Sequence, residues 1–264
     1  MNNNIKKYLK LKLKEKLFYS ELKRLSPLLE KKFPNINKSS YKKSLLVETR
    51  ELNHNEFVIK NTIQKLGDDW GHIIYCHENN YDQIKSICDD ISKNIEIRLL
   101  DFELNRNSYN NLCLDINFWN EIDCEKVLIY QTDSFIFKKF DDNFLNYDYL
   151  GATWLKRHSV YIYKNINWEN VWGMNGGLSL RSVNVIKEIL VSEKLPKFKF
   201  KGTDKITEDT FFSYFIINKS KYNTDIGVAN EFSYEFNFNN FSFGCHKPWN
   251  SDFELFIKRI RELN

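Results

Sequence analysis

Val127-Leu128-Ile129-Tyr130-Gln131-Thr132-Asp133-Ser134 is four apolar, strand-favouring residues followed at once by polar ones. The run is too short for a helix and ends in turn-forming side chains, so it reads as a buried strand. Three similar runs precede it, at Ser44–Thr49, His72–Cys76 and Ile95–Leu100. Between them lie segments with helical periodicity: Asn55–Leu66, Tyr81–Ile91 and Ser108–Phe118. In the first of these helices Phe57, Ile59, Ile63 and Leu66 are the expected inner positions. Strands alternating with helices in this way predict an α/β fold, with a mostly parallel central sheet and right-handed crossovers. Ligands in such sheets bind at the carboxyl ends of the strands. The residues just after each strand are therefore the ones to inspect.

After the fourth strand, Asp133 is placed to hold a divalent cation against a diphosphate, or simply to form a turn. After the first come Glu48, Thr49 and Arg50. A carboxylate and a guanidinium there suit a nucleotide, or equally an internal ion pair that closes the strand. Further on, Asn175-Gly176-Gly177 leads into Leu178-Ser179-Leu180-Arg181. Paired glycines let backbone approach a ligand closely or adopt positive φ, and Asn175 can bond a sugar hydroxyl; a tight turn is the alternative. Glu208 and Asp209 open an apolar helix, with Thr207 in position to cap it. Either they serve the helix dipole, or one acts as general base for an acceptor hydroxyl. Last, His246 follows the run Phe241–Phe243 and offers a nitrogen ligand to a metal.

The second half has a weaker pattern. Tyr149–Ala152, Leu178–Leu180 and Phe232–Phe238 read as strands, and Val183–Leu190 and Thr210–Ile217 as helices. Lys194–Lys205 reads as a mobile loop. No stretch approaches the roughly 18 apolar residues of a membrane span, and the first ten residues lack the pattern of a secretory signal. Five cysteines without a CxxC pair argue against a disulfide framework or a structural zinc site. A cytoplasmic location is the expectation that follows.

Charge divides the chain unequally. Residues 1–43 carry 13 Lys/Arg against 3 Asp/Glu, and the remainder 26 against 32. The expected organisation is a basic amphipathic helical leader over residues 1–40 and one main α/β domain over 41–264. In the leader, Ile5, Leu9, Leu13 and Leu17 continue into Phe18, Leu22 and Leu25. Residues 1–25 either pack on the domain or touch an anionic membrane surface. No nucleic-acid recognition motif accompanies the charge, so nucleic acid is not an expected partner.

Taken in order, Glu48-Thr-Arg50, Phe118-Trp119, Val127–Ser134, Tyr147–Trp154, Asn175–Arg181, Glu208-Asp209 and Gly244-Cys-His246 resemble a family of glycosyltransferase-like proteins with the GT-A fold. The resemblance spans about Ser44 to Trp249. It implies a hexosyl- or related transferase that takes a nucleotide-diphosphate sugar as donor, uses Mn²⁺ or Mg²⁺, and has a glycan, protein or lipid acceptor. It implies that Asp133 and His246 hold the metal, with Gln131 in place of the first carboxylate of the family's DxD motif. Glu48, Thr49, Arg50, Gln131, Asp133, Ser134, Asn175, Gly176, Gly177 and Trp154 would line the donor site. Asp148 and Trp154 would flank the Gly151-Ala152 segment beside it, with Trp154 either packed in the core or stacked on a sugar. Of Glu208 and Asp209, Asp209 is the preferred base; inversion at the anomeric carbon would follow, with retention the open alternative. A non-catalytic nucleotide-sugar or glycan binder and a nucleotidyltransferase are the competing expectations.

Overall fold

The computed structural model describes residues 3–154, 173–193 and 207–262. The expected loop Lys194–Lys205 lies outside them. In chain order the main elements are α1 (Asn3–Leu25), β1 (Lys42–Val47), α2 (Asn55–Leu66), β2 (Gly71–Cys76), α3 (Glu78–Ile91) and β3 (Glu96–Leu99). There follow α4 (Arg106–Cys113), α5 (Ile116–Asn120), β4 (Lys126–Tyr130), β5 (Ser134–Ile136), β6 (Tyr149–Trp154) and β7 (Gly173–Ser182). The described chain ends with α6 (Val183–Ser192), α7 (Glu208–Asn218), α8 (Ile226–Phe232), β8 (Ser233–Tyr234), β9 (Gly244–His246) and α9 (Phe253–Arg261).

Among the described residues, six strands form the central sheet in the order β3-β2-β1-β4-β7-β6. β1 to β4 are parallel, β7 runs against β4, and β6 runs against β7. The fold is mixed α/β with a mostly parallel sheet, as the alternation of elements predicts. Every residue of β1 and β2 is buried, which is why these strands read as continuous apolar runs rather than alternating ones. A buried Lys43 interrupts β1. It is tolerated because its ammonium meets Glu96 at 2.8 Å and Asp123 at 2.7 Å. A three-stranded sheet, β5-β9-β8, closes one end of the molecule.

Two expectations change. The helix predicted over Ser108–Phe118 is two helices, because Asp115 accepts a hydrogen bond from the Asn117 amide and starts α5 afresh. The strand predicted over Phe232–Phe238 is mostly not one. α8 runs to Phe232, and only Ser233 and Tyr234 pair with β9. Residues 232 to 235 are all buried, so the alternation of aromatic and polar residues there does not mark an inner and an outer face.

The leader stripe also splits. Phe18, Leu22 and Leu25 are buried in the core, whereas Ile5, Leu9, Leu13 and Leu17 are 50, 51, 59 and 47% exposed. Steps of four residues advance only ~40° round a helix, so they trace one face, and the single step from Leu17 to Phe18 turns ~100° onto another. That second face packs against the domain. Phe18 meets Trp249 edge to face at 5.4 Å, and Glu21 pairs with Arg261 at 2.8 Å. Among the described residues no helix is long and apolar enough to cross a membrane.

Candidate functional site

From β1 the chain crosses to β2 on one side, while β4 lies on the other, so the carboxyl ends of β1 and β4 flank a switch point where a ligand crevice is expected. A cavity of about 770 Å³ opens there. Glu48 and Arg50 from β1, Gln131 and Asp133 from β4, and Asn175 to Gly177 from β7 line it. The reversed direction of β7 is what brings its first residues to this end: the Gln131 amide donates to the Gly177 carbonyl at 2.8 Å. Strand β9 lies antiparallel to β5 with His246 opposite Ser134, which sets the imidazole beside Asp133.

Around that imidazole the geometry is specific. His246 Nε2 lies 3.1 Å from Asp133 Oδ1 and 3.2 Å from Gln131 Oε1. Its Nδ1 faces Glu235 Oε2 at 3.4 Å, and Asn250 donates to the other Glu235 oxygen at 2.9 Å. Burial opposes charge on His246, but Asp133 and Glu235 outweigh it and raise the imidazole to about 9. Burial alone would raise the Asp133 carboxyl; His246 and Lys247 outweigh it and hold the group well below the usual carboxylate range. Lys247 has a left-handed backbone, φ 45°, uncommon for a residue before proline. Its ammonium stands 3.6 Å from Asp133 Oδ2.

These residues fit a divalent cation. Asp133 Oδ1 is buried without a well-aligned hydrogen-bond donor, so an acceptor oxygen is left facing Nε2. Glu235 on Nδ1 is the outer carboxylate that metal-bound histidines usually carry, and it would direct the Nε2 lone pair to the metal. The donor set is one nitrogen, one carboxylate and one amide oxygen. Among the described residues no three His, Cys, Asp or Glu side chains are arranged to hold a metal. A cation here would need oxygens from its ligand, as is usual where phosphates complete the sphere.

A second ionic group borders the cavity through Glu208. Arg181 is fully buried and grips both oxygens of Glu208, at 2.6 and 3.2 Å. Its guanidinium also lies 4.9 Å from the centre of the Tyr149 ring. Burial works against the Arg181 charge, but Glu208 opposite holds it far above its ordinary range. Glu208 is thus occupied as an anchor, which argues against its having a catalytic role. Asp209, next in the chain, is half-buried, lines the cavity and accepts from the Thr210 amide at 2.7 Å. Thr207 stands at the cap position without capping; its hydroxyl pairs with that of Thr210 at 2.7 Å.

The paired glycines have another cause than the one expected. Neither has a positive φ. A Cβ on Gly177 would strike the His246 ring, and one on Gly176 would strike Glu208 and Arg181. The close approach is to the protein's own site residues, on a strand that also lines the cavity. Asn175 Oδ1 accepts from the Gly177 amide at 2.6 Å and braces the same turn.

Of the remaining candidates, Glu48 and Arg50 form the internal pair, with contacts of 2.7 and 2.8 Å, while the exposed Arg50 still lines the cavity. Thr49 is buried and accepts from the Leu104 amide at 2.8 Å, and Ser134 donates to the Gly177 carbonyl at 2.9 Å. Neither of the two lines the cavity, so both act as braces rather than ligand contacts. Trp154 does line it, with its ring against Gly173. Asp148 does not: it precedes β6, at the opposite end of the sheet, and accepts from the Asn223 amide at 2.8 Å. Sequence reasoning missed Glu235, the anchoring role of Arg181, Tyr109 and Arg106 from α4, and Glu15 and Tyr19 from α1, four of which line the cavity with Glu235. Only Arg181 sits in a motif that the sequence singles out.

No curated protein matches the sequence. Among solved structures that match is the 4-diphosphocytidyl-2C-methyl-D-erythritol synthase of Anaerococcus prevotii, at 13% identity and a TM-score of 0.40, over 67% of this chain and 83% of that one. A likeness that distant carries no functional inference. Residues 94–246, more than half of the 264, match the family described as "Protein of unknown function (DUF5672)", and the chain belongs to that family.

Proposed function

We propose that the protein is a metal-assisted glycosyltransferase, moving a sugar from a nucleotide-diphosphate sugar to an acceptor hydroxyl. One observation carries the reading: a single cavity at the β1/β4 switch point is lined by both the Asp133–Gln131–His246 donor set and the Asp209 carboxylate. When bound, Mn²⁺ or Mg²⁺ supplies Lewis-acid stabilisation of the charge that builds on the departing diphosphate. Arg50, Arg106 and Lys247, all in the lining, add positive charge for the same group. Asp209 takes the acceptor proton as the hydroxyl oxygen bonds to the anomeric carbon. The bond from that carbon to the diphosphate breaks with its electrons leaving on the nucleotide. Attack on the face opposite the leaving group inverts the anomeric centre.

The test is turnover of a panel of nucleotide sugars with Mn²⁺, with Asp209→Asn alongside. Release of nucleoside diphosphate from one donor, about 10²–10⁴-fold slower in the variant with donor binding retained, is the expected result. Pyrophosphate as product would replace this reading with nucleotidyl transfer. Tight donor binding without turnover on any acceptor class would replace it with a binding module.

A further inference from the structure

Helix α1 has two faces with different fates. One is spent on the core through Phe18, Leu22 and Leu25. The other presents Ile5, Leu9, Leu13 and Leu17, four large aliphatic side chains each about half exposed, in a single i, i+4 row. This row is bracketed by charge of one sign. Lys6 and Lys10 follow Ile5 and Leu9 round one flank, while Lys12 and Lys16 precede Leu13 and Leu17 on the other, and all four are exposed. The helix holds only two acids, and both are already paired: Glu15 with Lys12 at 2.7 Å, and Glu21 with Arg24 at 2.7 Å and Arg261. Glu15 balances Lys12 alone; among the described residues no acid is paired with Lys6, Lys10 or Lys16.

An aliphatic row edged by lysines suits an interface with apolar material below and negative charge above. Lysine stems lie along the apolar row while their ammonium groups reach outward. We propose that α1 is an interfacial helix that docks the protein on an anionic lipid surface, its Ile5–Leu9–Leu13–Leu17 row entering the headgroup boundary and its lysines meeting lipid phosphates. A protein partner with an acidic rim is the alternative the charge also admits, but only Tyr8, three residues after Ile5, gives the paired 3–4 spacing by which helices pack on helices; the positions three after Leu9 and Leu13 are Lys12 and Lys16. The other consequence is positional. Glu15 and Tyr19, on the same helix, line the cavity. Docking through α1 therefore sets the cavity beside the lipid surface, within reach of a substrate held there. The docking does not depend on which reaction the cavity performs.

The experiment is co-sedimentation of the full-length protein with vesicles of phosphatidylcholine alone and of phosphatidylcholine mixed with phosphatidylglycerol. Binding is expected to the mixed vesicles only, to weaken with salt, and to fall roughly fivefold for each of Lys6, Lys10 and Lys16 changed to Gln. The double variant Leu9→Glu/Leu13→Glu should lose binding at least tenfold. Because both residues are exposed, its melting temperature should match the parent's, which separates lost docking from lost fold. Three results overturn the proposal: no binding to mixed vesicles, equal binding to both kinds, or full binding by the folded double variant. A parent that is dimeric in sedimentation velocity and does not bind vesicles, with the double variant monomeric, would show instead that a second copy covers the row.

Discussion

Two ionic groups border the cavity beside Gly176 and Gly177 of β7 and are built on opposite principles. Arg181 and Glu208 satisfy one another, with both Glu208 oxygens held and the guanidinium packed among aromatic rings. Asp133, Gln131 and His246 converge on one point with an acceptor oxygen left over. A pair that is complete has nothing to offer a ligand, and its worth lies in holding α7 and β7 in place. A set that keeps an acceptor oxygen unpaired is suited to being completed from outside. The contrast separates scaffold from site where the residue types alone, a carboxylate beside a cationic side chain in each case, do not.

The largest expected effect tests the scaffold side. Arg181→Ala leaves Glu208 buried with its partner gone, and should cost about 3–5 kcal/mol in urea unfolding. A loss under about 1 kcal/mol would mean that the pair is not the anchor described. On the other side, Asp133→Ala should leave the protein folded yet lower metal-dependent turnover by about 10²–10³-fold. If unfolding, rather than turnover, changes most, the contrast collapses.

Glu235→Gln sharpens the comparison at one remove. As the group behind His246 Nδ1 it should weaken Mn²⁺ binding about 10–100-fold in calorimetry. Unchanged affinity would remove His246 from the ligand set.

Two buried histidines give the smallest and most diagnostic signal. His72 lies within the sheet, its Nδ1 2.6 Å from the Ser44 hydroxyl, and burial lowers it to about 3. Its folded pKa is below the ordinary 6.5, so the unfolded chain binds the proton first and stability falls as pH drops from about 6.5 towards 3. His246 is raised to about 9, so its contribution is full below about 6.5 and is lost as pH climbs through 9. In metal-free protein His246→Gln should abolish the alkaline limb and spare the acidic one, measured by melting temperature against pH. Loss of the acidic limb instead would contradict this assignment.

How much of this was legible beforehand depended on whether the signal was local. The four parallel strands and α2 stand in the sequence because each is buried along its whole length or along one face, and burial writes apolar residues into consecutive or periodic positions. Asp133, Gln131, Asp209 and His246 were also visible, since strand and helix ends at the carboxyl edge of a parallel sheet face a crevice by geometry. Tertiary structure alone decided the rest. It turned the Gly176-Gly177 pair from a ligand cradle into room for His246 and the Arg181–Glu208 pair, set Thr49 and Ser134 as braces, and brought Glu235 behind His246. It also divided α1 between core and solvent. Composition and periodicity record how strongly a residue is buried. They do not record against what, because the partner lies tens of residues away and leaves no mark at its own position.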